Sequence, residues 1–255
     1  MNISEKSRKI IDSCRFCWMC RHVCPLGNAT GAERNNARAR MLALSIVVRG
    51  AENISECIDN VYECSLCGAC TKECVTGWDP VYAIQEVKTS ALLEGIVPEY
   101  VEKLLENDER AGNIYGLEMP ESFKKLANNK KTDTLLYFGR DAIFKGTESL
   151  KNVVRLLDCA GVEYTTLEDE ADSGAHLYFL IGKSEETRQK MVRCAEQLNK
   201  FKRVVVYDPA DLKLFLREYK EWGIEISAEI IGFNKYINEL IESGRLKVEN
   251  SGKEY

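Results

Sequence analysis

The chain has 255 residues, is 45% hydrophobic and 29% charged, and carries a formal net charge of −5. This describes an ordinary folded protein of about two domains and excludes a disordered one; with no lysine–arginine run it also sets nucleic-acid binding aside. The apolar stretch Met41–Val48 is too short to cross a bilayer, and the polar start MNISEKSRKI is not a secretory signal, so a cytoplasmic location is expected, with membrane association only through a partner.

Eleven cysteines are the unusual feature, and nine of them lie in the first 74 residues. In chain order, Cys14, Cys17, Cys20 and Cys24 come first. Residues 35–49 then show helical periodicity through Met41, Leu44 and Val48, stopped by Gly50. Asn53 and Glu56 have the spacing of a capping box opening the next helix. Cys57 sits at helical spacing beside Ile54, Ile58 and Val61 and reads as a buried small hydrophobe. Cys64, Cys67, Cys70 and Cys74 repeat the first spacing. Asp79-Pro80 predicts a helix start, with Val81, Ile84, Val87 and Ala91 on one apolar face, and Pro98 opens another helix through Val101, Leu104 and Leu105. No strand is predicted before residue 130.

After the breaker-rich Asn128–Thr132 the pattern changes. Leu135–Phe138, Val162–Leu167, His176–Ile181, Arg203–Tyr207 and Ile224–Ile231 read as apolar or extended segments. Ser149–Ala160, Ser184–Leu198, Pro209–Trp222 and Phe233–Ser243 read as helices, and Cys159 and Cys194 within them as core packing. Strands alternating with helices predict a mostly parallel sheet. The expected class is α+β overall: an α-helical domain at 1–118, a linker at 119–131 and an α/β domain at 132–255.

Clustered cysteines in a chain without a secretory signal point to metal rather than disulfides. A four-iron, four-sulfur cube needs one thiolate at each iron. Three cysteines at i, i+3 and i+6 wrap three corners, and in bacterial runs of this spacing the fourth cysteine ligates the other cluster. The predicted ligand sets are therefore Cys14, Cys17, Cys20 and Cys74 for one [4Fe-4S] cluster and Cys64, Cys67, Cys70 and Cys24 for a second. Structural zinc is the competing occupant, although a CxxCxxC run suits a cube better than one tetrahedral ion. Pro25 follows Cys24 in the usual way, whereas Val75 follows Cys74. His22 is a bystander histidine or a tuner of cluster potential. Arg15, Arg21, Arg38 and Arg40 either offset thiolate charge or form a solvated face. There is no glycine-rich dinucleotide loop, phosphate loop or nucleophile elbow, so no flavin or nucleotide is expected on this chain.

From Cys14 to Gly116, including Asn113-Ile114-Tyr115-Gly116 in place of N-P-Y-G, the sequence resembles the two-cluster domain of heterodisulfide reductase, anaerobic glycerol-3-phosphate dehydrogenase and glycolate oxidase iron–sulfur subunits. The second half resembles the cysteine-rich CCG domain of the same proteins. Phe138-Gly139-Arg140, Asp172–Tyr178 and Tyr207–Asp211 stand at the cysteine-bearing segments, but Arg140, Asp172, Ser173, Asp208 and Asp211 replace the ligands. The additional iron–sulfur site and heterodisulfide chemistry therefore do not carry over. An ion pair of Arg140 with Asp172 or Asp208 is expected in its place. The resemblance implies a non-catalytic electron-transfer subunit. It would relay single electrons between an FAD-containing dehydrogenase, or an electron-transferring flavoprotein, and an acceptor. The alternative is an iron–sulfur scaffold or redox sensor without turnover. Oxygen-fragile cubes suggest an anaerobic organism.

Overall fold

The computed structural model describes residues 1–15 and 17–248. They form two compact units: Met1–Glu106 with His176–Thr187, and Asn107–Ala175 with the chain from Arg188 onward.

The first unit is helical: α1 (Glu5–Ser13), α2 (Pro25–Thr30), α3 (Ala37–Val48), α4 (Ile58–Tyr62), α5 (Ala69–Glu73), α6 (Pro80–Leu93) and the start of α7 (Glu99–Ala111). Its core is built from Ile11 on α1, Met41 and Leu44 on α3, and Val81, Ile84, Val87 and Ala91 on α6. The α6 face follows the periodicity of the sequence. Ser4 caps α1 by accepting from the Ser7 amide at 3.2 Å, and the Glu86 carboxylate accepts from the Ser4 amide at 2.9 Å and from both serine hydroxyls. The expected capping box at Asn53 does not form. Ile54–Glu56 is a 3-10 turn separated from α4 at Cys57, and Asn53 makes no side-chain cap, so Glu56 is not the third residue of a continuous helix. Pro80 opens α6 as expected, but the Asp79 side chain is not its cap; its Oδ1 accepts from the Thr71 hydroxyl at 3.0 Å.

The second unit follows the end of α7 with α8 (Glu121–Lys124), β1 (Thr134–Tyr137), α9 (Arg140–Lys145) and α10 (Thr147–Cys159). After α11 (Ala175–Ile181), which from His176 on belongs to the first unit, and α12 (Glu185–Leu198) come β2 (Arg203–Val206), α13 (Pro209–Lys213), a π turn over Leu214–Glu218, α14 (Tyr219–Glu221), β3 (Glu229–Gly232) and α15 (Phe233–Glu242). The sheet has the order β1-β2-β3 and both pairs are parallel, with Leu135 opposite Val204 and Val204 opposite Ile230. Leu135–Tyr137 and Val204–Val206 are wholly buried, which explains their unbroken apolar sequence.

Three segments differ from the sequence reading. Val162–Leu167 contributes a single parallel bridge, Thr165 to Leu135. The Thr165 and Thr166 hydroxyls instead donate to the Lys130 and Leu126 carbonyls. Of the expected extended segment Ile224–Ile231 only the end is strand, as β3 over Glu229–Gly232. His176–Ile181 is helical. An apolar run of that length does not distinguish strand from buried helix, and tertiary hydrogen bonds decide it. A helix leaves its last carbonyls unpaired. Here the Phe179 carbonyl accepts from Lys88 Nζ at 3.0 Å and the Ile181 carbonyl from Thr89 Oγ1 at 2.7 Å, while Tyr178 Oη donates to Gln85 Oε1 at 2.8 Å. Cys194 is fully buried, as expected, but Cys159 is exposed. It closes α10 away from the face that buries Leu150, Val153 and Leu157.

Candidate metal centre

Short elements of the first unit set out the eight motif cysteines. Cys14 ends α1, in extended conformation at its C-cap. Cys24 is the N-cap of α2, its Sγ 3.5 Å from the Gly27 amide, and Pro25 at the first helical position fixes the entry. Cys70 lies within α5 and Cys74 is its C-cap. Between Cys64 and Cys70 the backbone bends through two left-handed residues, Leu66 (φ 52°) and Gly68 (φ 77°). Leu66 bears a side chain in a region that costs roughly 1–2 kcal/mol, and its burial to 1% exposure holds it there. Closely spaced thiols on a tight turn are what a multi-iron group needs.

Cys14, Cys17, Cys20 and Cys74 line one small cavity, together with residues that include Met19 and Trp78. The indole N–H of Trp78 donates at 2.8 Å to the Ile10 carbonyl in the last turn of α1, which also accepts from the Ser13 hydroxyl at 2.8 Å. That bond fixes the end of α1, where Cys14 sits, to the chain just beyond Cys74. Cys24 does not line this cavity. Its Sγ lies 3.2 Å from the Asn35 carbonyl, which also accepts from Arg40 Nη1 at 2.6 Å. Cys64 and Cys67 act electrostatically on Cys70, and so does Cys20 of the first motif. Burial, followed by those neighbouring thiols, pushes Cys70 up to about 12, and burial raises Cys20 as well. At Cys74 burial is outweighed by hydrogen bonds from the Thr76 hydroxyl and amide, and its thiol is lowered. Among the described residues no three of His, Cys, Asp or Glu are grouped to hold a single metal ion.

The arginines fall into two kinds. Arg15 is exposed; Arg21 and Arg38 share Glu33 at 3.1 and 3.3 Å and lie over the exposed Trp18 ring. Arg40 is 1% exposed, with Nε 2.7 Å from the Asn60 carbonyl and Nη2 unpartnered. Asn36 Nδ2, on a residue packed near Cys24, is likewise buried and unpartnered. Such orphaned N–H donors match a group whose sulfides and thiolates accept hydrogen bonds, so the residues present fit an iron–sulfur cluster. His22 is exposed, its Nε2 3.5 Å from Glu73. Cys57 packs, partly buried, against the core. The sequence reading passed over Lys88. It lies four residues beyond Ile84 on the apolar face of α6, a periodicity signal that marks it as buried.

In the second unit, Arg140, Asp172, Ser173, Asp208 and Asp211 gather at the C-terminal ends of β1 and β2. The expected Arg140 ion pair is absent among the described residues. Lys190 binds Asp172 instead, at 3.0 Å, and also Asp108 at 2.5 Å. Arg140 Nη1 faces the Met119 sulfur at 3.8 Å and its Nε is buried without a partner. Lys190 reaches these carboxylates from α12, an element that the sequence did not connect to them. Lys190 and Arg140 outweigh burial and hold Asp172 below the usual carboxylate range. Asp208 caps α13, accepting from the Ala210 amide at 2.7 Å, and Ser173 Oγ donates to Asp211 at 2.5 Å. Gly139 (φ 89°) passes so close to Asp211 and Asp208 that a side chain there would collide with both. Glu170, buried, accepts from the Phe138 and Gly139 amides at 2.7 and 2.9 Å.

A model of the 4Fe-4S dicluster domain matches residues 10–78, the span holding all eight motif cysteines. That span is similar to a 4Fe-4S dicluster domain. It is 26% identical over 209 residues, 74% of its length, to the "Probable membrane-anchored ferredoxin" of Chromohalobacter salexigens. It is 22% identical over 213 residues, 75% of its length, to the "Probable iron-sulfur-binding oxidoreductase FadF" of Bacillus subtilis. The chain spans 30% of the length of each of these curated relatives. No solved structure matches it. The domain match and the relatives' names support an iron–sulfur electron-transfer role. No helix among the described residues is long and apolar enough to cross a membrane.

Proposed function

We propose that the chain is an electron-transfer subunit, passing single electrons between a flavin-containing partner and an acceptor through two [4Fe-4S] clusters. Cys14, Cys17, Cys20 and Cys74 would hold one cluster, and Cys64, Cys67, Cys70 and Cys24 the other. The observation that supports this reading is the place of the fourth cysteine of the second motif. Cys74 shares a cavity with the first three, whereas Cys24 turns to a carbonyl that it shares with Arg40. The bound clusters supply one-electron chemistry; the chain's own residues position thiolates, exclude water from Cys20 and keep the two sites adjacent through Cys20 and Cys70. The name of the Bacillus subtilis relative, an iron–sulfur-binding oxidoreductase, supports a redox role; the two-electron chemistry would fall to a partner, an FAD-containing dehydrogenase or an electron-transferring flavoprotein.

Photoreduced flavin mononucleotide is a suitable donor for the test. The anaerobically prepared protein should bleach, reoxidise and keep its iron over repeated cycles. Cys67→Ser should sharply reduce electron delivery to a downstream acceptor. Iron loss on cycling would favour the scaffold or sensor alternative, and unchanged delivery by the variant would contradict the relay.

A further inference from the structure

Two buried cations in the first unit have no carboxylate partner among the described residues. Arg40 is 1% exposed and Lys88 3%. Arg40 ends on the Asn35 and Asn60 carbonyls, with Nη2 unpartnered. Lys88 Nζ donates to the Phe179 carbonyl at 3.0 Å and lies 4.9 Å from the centre of the Tyr62 ring. A buried charge without an opposite charge is strongly unfavourable, so two of them side by side call for a buried anion.

Both cations belong to the side of the second motif. Arg40 Nη1 and Cys24 Sγ meet at one oxygen, the Asn35 carbonyl. Asn60, which takes Arg40 Nε, precedes Cys64 by one helical turn. Lys88 is within electrostatic reach of Cys64 and Arg40. The cations near the first motif differ: Arg15 is exposed, and Arg21 and Arg38 are already engaged by Glu33. Exposed or paired charges are screened, whereas buried ones act through a low dielectric.

We infer that Arg40 and Lys88 are the counter-charges of the cluster held by Cys24, Cys64, Cys67 and Cys70, and that they set its reduction potential above that of the cluster held by Cys14, Cys17, Cys20 and Cys74. This rests on the two-cluster reading above. Reduction adds one electron, drawn from the partner's reduced flavin, and no proton. The extra negative charge is stabilised where buried cations face it, so the electron settles on the second site.

The test is a redox titration of the fully loaded protein with dithionite and mediators, followed by electron paramagnetic resonance. Two midpoints are expected. Lys88→Met should lower the upper one, cutting the reduced-to-oxidised ratio at fixed potential by about tenfold, or 59 mV for a one-electron couple, and leave the lower one in place. Lys88→Arg should restore it. Arg40→Gln is an independent variant expected to move the same midpoint downward. Movement of the lower midpoint, or of neither, in loaded variants would overturn the inference. Absence of reversible waves in the unaltered protein would instead defeat the relay reading itself.

Discussion

Trp78 ties the two cysteine motifs together through one hydrogen bond. Phenylalanine would keep most of its packing but lose this bond and leave the Ile10 carbonyl with the Ser13 hydroxyl alone, at a cost of about 0.5–1.5 kcal/mol. Trp78→Phe should therefore lower the unfolding temperature and speed iron release, measured by thermal denaturation and by chelator kinetics; release at the normal rate would show that the end of α1 is held by other contacts. Gly139 is constrained for a different reason, since it combines a left-handed φ with close approach to Asp211 and Asp208. Alanine there should destabilise the second unit by more than about 1 kcal/mol in denaturant unfolding; a neutral result would mean that the β1–α9 turn relaxes freely. The cysteine spacing was legible from sequence because cluster chemistry dictates it residue by residue. Lys88 and Trp78 were less legible, because their roles come from neighbours far along the chain.

At the scale of elements, Lys190 on α12 bridges Asp108 at the end of α7 and Asp172 before α11. All three side chains are at most 18% exposed, so removing the cation leaves two largely buried carboxylates unpaired. Lys190→Met should cost on the order of 3 kcal/mol, and adding Asp172→Asn should recover part of it. Strict additivity in that double-mutant cycle would deny the coupling. Glu170 anchors the end of β1 through two backbone amides, yet burial pushes its carboxyl from the usual 4.5 up to about 7. Between those values the folded state holds more protons than the unfolded one, so stability should fall as pH rises from about 4.5 to about 7, by at most about 3 kcal/mol. Glu170→Gln should flatten that slope in urea unfolding at a series of pH values; an unaltered slope would place the proton elsewhere, with Asp211, also raised by burial, the next candidate. The buried strands β1 and β2 and the periodic helices α3, α6 and α10 were readable from local pattern. The helical state of His176–Ile181 was not, because its carbonyls are satisfied by Lys88 and Thr89, far away in sequence. The Arg140 pairing failed for the same reason, since Lys190 reaches Asp172 from a separate helix.

At the scale of the whole molecule, the first unit is not one stretch of chain: His176–Thr187 belongs to it. A fragment ending at residue 118 would lack α11 and with it the acceptor for Lys88. It should bind iron–sulfur clusters less stably than the full chain, as judged by iron retained after gel filtration; equal retention would show that α11 is dispensable. The proposed relay requires the eight motif cysteines to hold two cubes. Its most direct measurement is iron and acid-labile sulfide per chain on protein purified without oxygen. About eight of each is the predicted result. About four would leave one site empty and break the relay, and zinc without sulfide would overturn the two-cube assignment.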